Sequence, residues 1–383
     1  MNPSQLFRLS IWACSFLLVH ASHLVAGIEV VQLPGGDRPG AALSFQTTEG
    51  QSHLIRAGGD LSNWTPVATI SGTGERVQWT DPAGLDEQSR FYQTHPLPTP
   101  KGDLTAGSLT VVQSWSQETD YKRDALVSMP GNPADPNGPH PVLLTLHGSG
   151  GSPNLNAFGY LNDRYIHVAP RGYLNQWNVG RQITEAPDVE FIRDILLQLR
   201  QYDNVDAGNI VIIGSSNGSA LLNQLLIELD GSLFQHAISI VSPMVSEQYN
   251  DGQFWGDPEI TSNFTTPYIP ARGRRLLCMT GTEDNIIPYY GGQGILGYQF
   301  LGGQDSTYIF ARAMGEQGVQ LQDDQGIPVP NLDFPSNPPQ IFEYGYLDGD
   351  VVHYKVLGAG HNLGGSDTND TRKDLILKFL GLQ

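Results

Sequence analysis

The sequence predicts an α/β domain, a mostly parallel sheet with helices on both faces, preceded by a small all-β sandwich-like module. Three observations carry that expectation. Beyond about residue 107, apolar runs such as HPVLLTLHG, YIHVAP, NIVIIG, HAISIVSPM and RRLLCMTG alternate with helical stretches. Strands that are apolar throughout belong in sheets covered on both faces. The intervening DVEFIRDILLQLRQY sets Val189, Ile192, Ile195, Leu196 and Leu199 at helical spacing. Between residues 28 and 97 the pattern is different: ALSFQTT, HLIRAGG, TPVATISG, RVQWTD and SRFYQT alternate apolar with polar residues and are separated by turn signals. Such short, closely spaced strands read as a sandwich-like module.

The remaining segments follow in chain order. Residues 1–26 have the layout of an export signal: Arg8, then the apolar run IWACSFLLV (residues 11–19), then small residues at Ala21, Ala26 and Gly27. That run is too short to span a bilayer, and the chain is expected to be secreted or periplasmic. Trp64 and Trp79 of the β module are expected in its core or on a binding face. HPLPTPKGD is proline-rich and polar, so residues 98–106 read as a linker to a catalytic domain over 107–383. Residues 317–340 are proline-rich and without period, and are expected to form a loop near the site.

Composition narrows the function. A net charge of −18 and an isoelectric point near 4.8 argue against a nucleic-acid partner, since phosphate binding needs a basic surface. Cys14 falls within the signal, which leaves Cys278 alone in the mature chain, with no intramolecular disulfide possible. No His, Cys, Asp and Glu cluster has metal-ligand spacing, and no cofactor is implied.

In open α/β sheets, sites gather at the carboxyl ends of strands. VLLTL runs into His147-Gly148-Ser149-Gly150-Gly151, and IVIIG into Ser215-Ser216-Asn217-Gly218. LLCMTG runs into Thr282-Glu283-Asp284, and VVHYKVLGAG into His361. Gly214 to Gly218 fits G-x-S-x-G between a strand and a helix, which makes Ser216, rather than Ser215 or Ser219, the candidate nucleophile. The order Ser, Asp, His is that of the α/β-hydrolase fold. A serine hydroxyl needs a base, here His361, and the base needs an orienting acid, for which Asp284 is preferred over its neighbour Glu283. The backbone N–H groups of Ser149 and Asn217 are the expected oxyanion donors. His147 is expected to be structural in the donor loop, and His353 to be a hydrogen-bonded strand residue.

The stretches LLTLHGSGGSP, VAPRGYLNQWN, DVEFIRDILLQL, VDAGNIVIIGSSNGSALLNQ, GTEDNIIPYYGG and LGAGHNLGG resemble the secreted esterases that include polyhydroxybutyrate depolymerases and feruloyl or acetylxylan esterases. The likeness runs from about residue 139 to the C-terminus and implies the same triad, Ser216, Asp284 and His361. It further implies that Trp177 lines an acyl or alcohol pocket, with Gly148, Gly150 and Asn362 also facing substrate. Ser219 in place of a glycine, Thr280 before GTED, and no tryptophan after His361 depart from the family pattern. The expected function is a secreted serine esterase acting on a carboxylic ester, polymeric or soluble, without a cofactor. A serine peptidase on the same fold and a non-catalytic polymer-binding protein remain as alternatives.

Overall fold

Alternate residues on the strands between 140 and 215 go to opposite faces of one sheet, and the residues that follow the carboxyl ends of its central strands build the site. The computed structural model describes residues 7–10, 28–33, 40–47, 49, 52–58, 65–81, 89–96, 101–329, 341–363 and 366–382. They divide into two compact units, Met1–Lys101 and Gly102–Gln383.

The first unit is all β. Strands Phe7–Ser10, Ser89–Pro96, Ser52–Gly58 and Thr65–Ser71 form one antiparallel sheet in that order, and Ile28–Leu33, Gly40–Gln46 and Arg76–Thr80 form a second. Leu43 and Phe45 of the second sheet share a buried cluster with Ile55, Ala57 and Tyr92 of the first. The period-two spacing of 43/45 and 55/57 is what turns these pairs to one side. Trp79 stands edge-on to Tyr92, with ring centroids 6.4 Å apart, and packs on this core; Trp64 lies outside the described residues. Of the expected export signal, Phe7–Ser10 forms a strand antiparallel to Ser89–Pro96, and the remainder lies outside the described residues.

The second unit begins inside the segment expected to be linker. Leu104 is buried, its N–H donating to Asn204 Oδ1 (2.8 Å) while Asn204 Nδ2 donates to its carbonyl (3.0 Å). One apolar residue with a side-chain amide partner anchors what composition alone presents as spacer.

The main sheet is built from β1 (Gly107–Trp115), β2 (Glu118–Ser128), β3 (His140–Leu146), β4 (Ile166–Pro170), β5 (Val205–Ser215), β6 (His236–Ile240), β7 (Arg275–Gly281), β8 (Ile341–Tyr346) and β9 (Val351–Val356). Its order is β8-β9-β7-β6-β5-β3-β4-β2-β1, with the short strand Ile327–Pro328 on the outer edge of β8. Strands β4, β3, β5, β6, β7 and β9 are parallel, and antiparallel strands close each side. Ile210 and Ile212 of β5 enter one core, and Val211 and Ile213 the other. The first core is covered by α1 (Asp188–Leu199), α2 (Asn217–Glu228) and α3 (Gly303–Met314), the second by α4 (Ser366–Phe379). Helix α1 buries Val189, Ile192, Ile195, Leu196 and Leu199, as the helical spacing requires. The described part of 317–340 runs along the β8–β9 edge: Asp323 pairs with Lys355 (2.6 Å), and Ile327 is in register with Glu343.

Two imidazoles are sealed within the sheet, each wholly buried. His167 Nδ1 faces Leu155 O (3.0 Å) and Asn162 Oδ1 (2.9 Å), so it carries the proton and Nε2 accepts from the Thr145 hydroxyl (2.9 Å). His353 lies 3.2 Å from Thr307 Oγ1 through Nδ1, and 3.3 Å from the Tyr289 hydroxyl through Nε2. It is the hydrogen-bonded strand residue that its place in β9 suggests.

Candidate active site

Strand order reverses at β3: β4 lies to one side of it and β5 to the other, all three running parallel. The carboxyl ends of β3 and β5 therefore flank a crevice, where ligands bind in sheets of this kind. Ser216 sits there, between the end of β5 and the first residue of α2, at φ 51° and ψ −118°. That backbone conformation costs about 1–3 kcal/mol and is held by its surroundings. Ser216 N–H donates to Ile240 O (2.9 Å). The two flanking glycines are needed for close approach. A Cβ on Gly214 would lie 2.5 Å from Gly218 O, and one on Gly218 would lie 2.3 Å from Leu146 O. Ser219 is buried, its Oγ 2.6 Å from Gly214 O and accepting the Ile240 N–H at 2.8 Å. It ties the ends of β5 and β6 together. Thr280 is also buried, 3.4 Å from His353 Nε2. These two departures from the family pattern are thus internal.

The acid loop and the histidine loop meet because Gly281 closes β7. A Cβ there would fall 2.3 Å from Ala359 O. Glu283 N–H donates to Ala359 O (2.9 Å) and Gly358 N–H to Thr282 Oγ1 (2.8 Å), so the two loops are cross-linked by one main-chain and one side-chain bond. His361 Nδ1 lies 2.7 Å from Asp284 Oδ2, and His361 Nε2 lies 2.9 Å from Ser216 Oγ. Glu283 is exposed, whereas Asp284 is buried and its Oδ1 accepts the N–H groups of Ile286 and Ile287, both at 2.9 Å. Burial alone would raise the Asp284 carboxyl. The bond from His361 and the two backbone N–H groups outweigh burial and hold it below the usual carboxylate range. A serine hydroxyl bonded to an imidazole, itself bonded to a charged carboxylate, has the arrangement that nucleophilic attack by the serine requires.

The donor loop after β3 approaches Ser216 closely: a Cβ on Gly148 would stand 3.5 Å from Ser216 Cβ. Gly150, at φ +74°, donates its N–H to Asn175 O (2.8 Å), and Gly151 donates to Gly148 O (3.0 Å). Gly150 is therefore spent as a donor. Asn217, the first residue of α2, has no intrahelical acceptor for its N–H. The Ser149 N–H has no main-chain acceptor among the described residues. His147 braces this loop, with Nδ1 2.8 Å from Gly148 O and Nε2 accepting the Gly172 N–H at 3.1 Å. Burial lowers its pKa and keeps it neutral for that contact.

Trp177 corrects an expectation. It is completely buried rather than lining an open pocket, and its indole N–H donates to His147 O (2.8 Å). Its backbone N–H and carbonyl are gripped by the Asn217 side chain at 2.7 and 3.0 Å. A tryptophan seen in sequence does not disclose whether its faces are covered, and the Asn217 clamp has no signature in spacing. Asn362 is exposed beside His361. Burial pushes the Cys278 thiol up to about 12, far from the reactive thiolate range. Among the described residues no group of three or more His, Cys, Asp or Glu side chains could hold a metal ion. Among them, too, no helix is long and apolar enough to cross a membrane.

The sheet order, the strained turn between β5 and α2, and the Ser, Asp, His order at successive strand ends define an α/β-hydrolase fold. No family model matches the sequence. The chain is similar to feruloyl esterase B of Piromyces equi, 25% identical over 231 residues, which is 58% of this chain and 39% of that protein. The chain thus spans about two-fifths of the length of this relative. Among solved structures it is similar to propionate-bound esterase 2 of Thermogutta terrifontis, at 17% identity and a TM-score of 0.44, covering 72% of this chain and 95% of that one. It is also similar to the Bacillus cereus carboxylesterase, at 14% identity and a TM-score of 0.40, covering 67% and 94%.

Proposed function

We propose that this chain is an exported serine esterase that hydrolyses carboxylic esters through an acyl-enzyme. The hydrogen-bonded row Ser216–His361–Asp284 is the observation that carries the reading. Ser216 Oγ attacks the ester carbonyl as its proton passes to His361 Nε2. The tetrahedral oxyanion rests on the N–H groups of Asn217 and Ser149, in the field of the α2 N-terminus. Collapse expels the alcohol, which takes the proton from His361. Water then repeats the sequence and releases the acid. The charged Asp284 holds the imidazole in the tautomer that faces Ser216 and stabilises it when protonated.

The likeness to feruloyl esterase B supports a feruloyl ester, and the motif resemblance also admits an acetylxylan ester or a polyhydroxybutyrate-type polyester. Export is supported by Arg8, the apolar run 11–19 and the small residues that follow it. Cleavage within residues 21–27 would remove the Phe7–Ser10 strand and uncover that side of Ser89–Pro96. One preparation tests both parts. The chain recovered outside the expressing cell should begin within or just after residues 21–27, and a fluorophosphonate should label it on Ser216. An intact N-terminus would sink the export reading. A label retained in Ser216→Ala, or no hydrolysis across a panel of feruloyl, acetyl and polyester substrates, would sink the enzyme reading.

A further inference from the structure

The loops around Ser216 form a closed, hydrogen-bonded ring. From the donor loop, Gly150 N–H reaches Asn175 O (2.8 Å), and two residues on Trp177 is held by Asn217. The same segment continues to Arg181, whose N–H donates to the Tyr298 hydroxyl (2.7 Å) and whose Nη1 donates to Gly297 O (2.8 Å). From there Ile295 N–H donates to Ile286 O (3.1 Å), and Ile286 N–H to Asp284 Oδ1 (2.9 Å). Asp284 returns the path to His361 and Ser216.

Four aliphatic side chains stand out from this ring into solvent: Leu174 (51% exposed), Ile286 (37%), Ile295 (51%) and Leu296 (55%). Leu174 is next to the residue that fixes the donor loop, and Ile286 is two residues from the acid. Two of the four have left-handed backbone, Leu174 at φ 52° and Leu296 at φ 57°. A bulky residue is a rare occupant of that region, where glycine is at ease. Leucine at both positions therefore works against backbone preference and against water at once. Strain of this kind concentrates where ligands are held. The Arg181 guanidinium on this stretch is paired with Glu247.

Resting on the esterase reading, and favouring its polyester branch, we infer that Leu174, Ile286, Ile295 and Leu296 form an apolar rim that takes the acyl chain of the substrate and selects esters of longer aliphatic acids over acetyl esters. Aliphatic walls without an aromatic face favour a flexible hydrocarbon chain. An acyl group long enough to leave the reacting serine would meet side chains borne by the loops that hold the donor segment and the acid.

The test uses the full chain and two soluble esters, p-nitrophenyl acetate and p-nitrophenyl hexanoate. Leu174→Gly and Leu296→Gly each relieve the backbone, so neither should lower the melting temperature. Each should reduce kcat/KM for hexanoate by roughly fivefold, through KM, while acetate changes by less than about twofold. Equal losses on both esters, or none on either, would overturn the rim while leaving the esterase reading intact. A change of oligomeric state without a change of acyl selectivity would likewise overturn it, as the mark of a contact with a second copy. A wild-type chain that turns over hexanoate no better than acetate would also overturn the rim, whereas the esterase reading falls only with the Ser216 label and the wider ester panel.

Discussion

Ser216→Ala should lower kcat on every ester by about a millionfold, down to the residual rate that the donors and binding alone sustain. The variant should fold normally. The unusual φ and ψ at this position are imposed by Gly214, Gly218 and the Ile240 carbonyl, not by the hydroxyl. Ser215→Ala is the matched control, since Ser215 ends β5 and its neighbour supplies the oxygen that meets His361. It should keep most of the activity. Steady-state rates on one small ester, with melting curves for both variants, decide the matter. An inactive Ser215→Ala beside an active Ser216→Ala would place the turn one residue out.

Asp284→Asn should be the next most damaging change, at about ten-thousandfold in kcat. Asparagine keeps the shape but removes the charge, and its amide can leave His361 with the wrong nitrogen toward Ser216. Glu283→Gln, on an exposed side chain, should cost less than about twofold. The Asp284 carboxyl is held below the usual range, so its charge persists as the medium is acidified toward that range. Loss of activity that sets in above that range is therefore not protonation of this carboxylate. A crippled Glu283→Gln and a healthy Asp284→Asn would reverse the assignment.

Much of this arrangement can be read in the amino-acid string, and the physical reason is local. Runs such as Ile210 to Ile213 are buried on both sides of one strand, so they carry no polar residue and announce a parallel sheet. Reactive residues directly after such runs fall at one edge of that sheet, which is why Ser216, Asp284 and His361 could be placed beside one another from chain order. What could not be read depends on contacts between distant segments. Trp177 is hidden because Asn217 clamps it, and Gly150 is spent because Asn175 takes its N–H. The supposed spacer at Leu104 is fixed by an amide a hundred residues away. Gly281 gave no signal of its own, since the Ala359 carbonyl it makes room for is supplied by another strand's loop.

His167 and His353 give the second unit an acid limit. Burial depresses His167 to about 4, and burial together with the Lys355 charge depresses His353 to about 3. In the unfolded chain both imidazoles take up protons below about pH 6.5. Unfolding is therefore coupled to proton uptake. The stability gained by keeping these rings neutral is complete above about pH 6.5 and drains away as pH falls toward the two folded values. The melting temperature should decline between pH 6.5 and 4, and a flat profile over that interval would remove the coupling. Acid would thus reach the second unit through its interior, by protons taken up on two buried strands as they open.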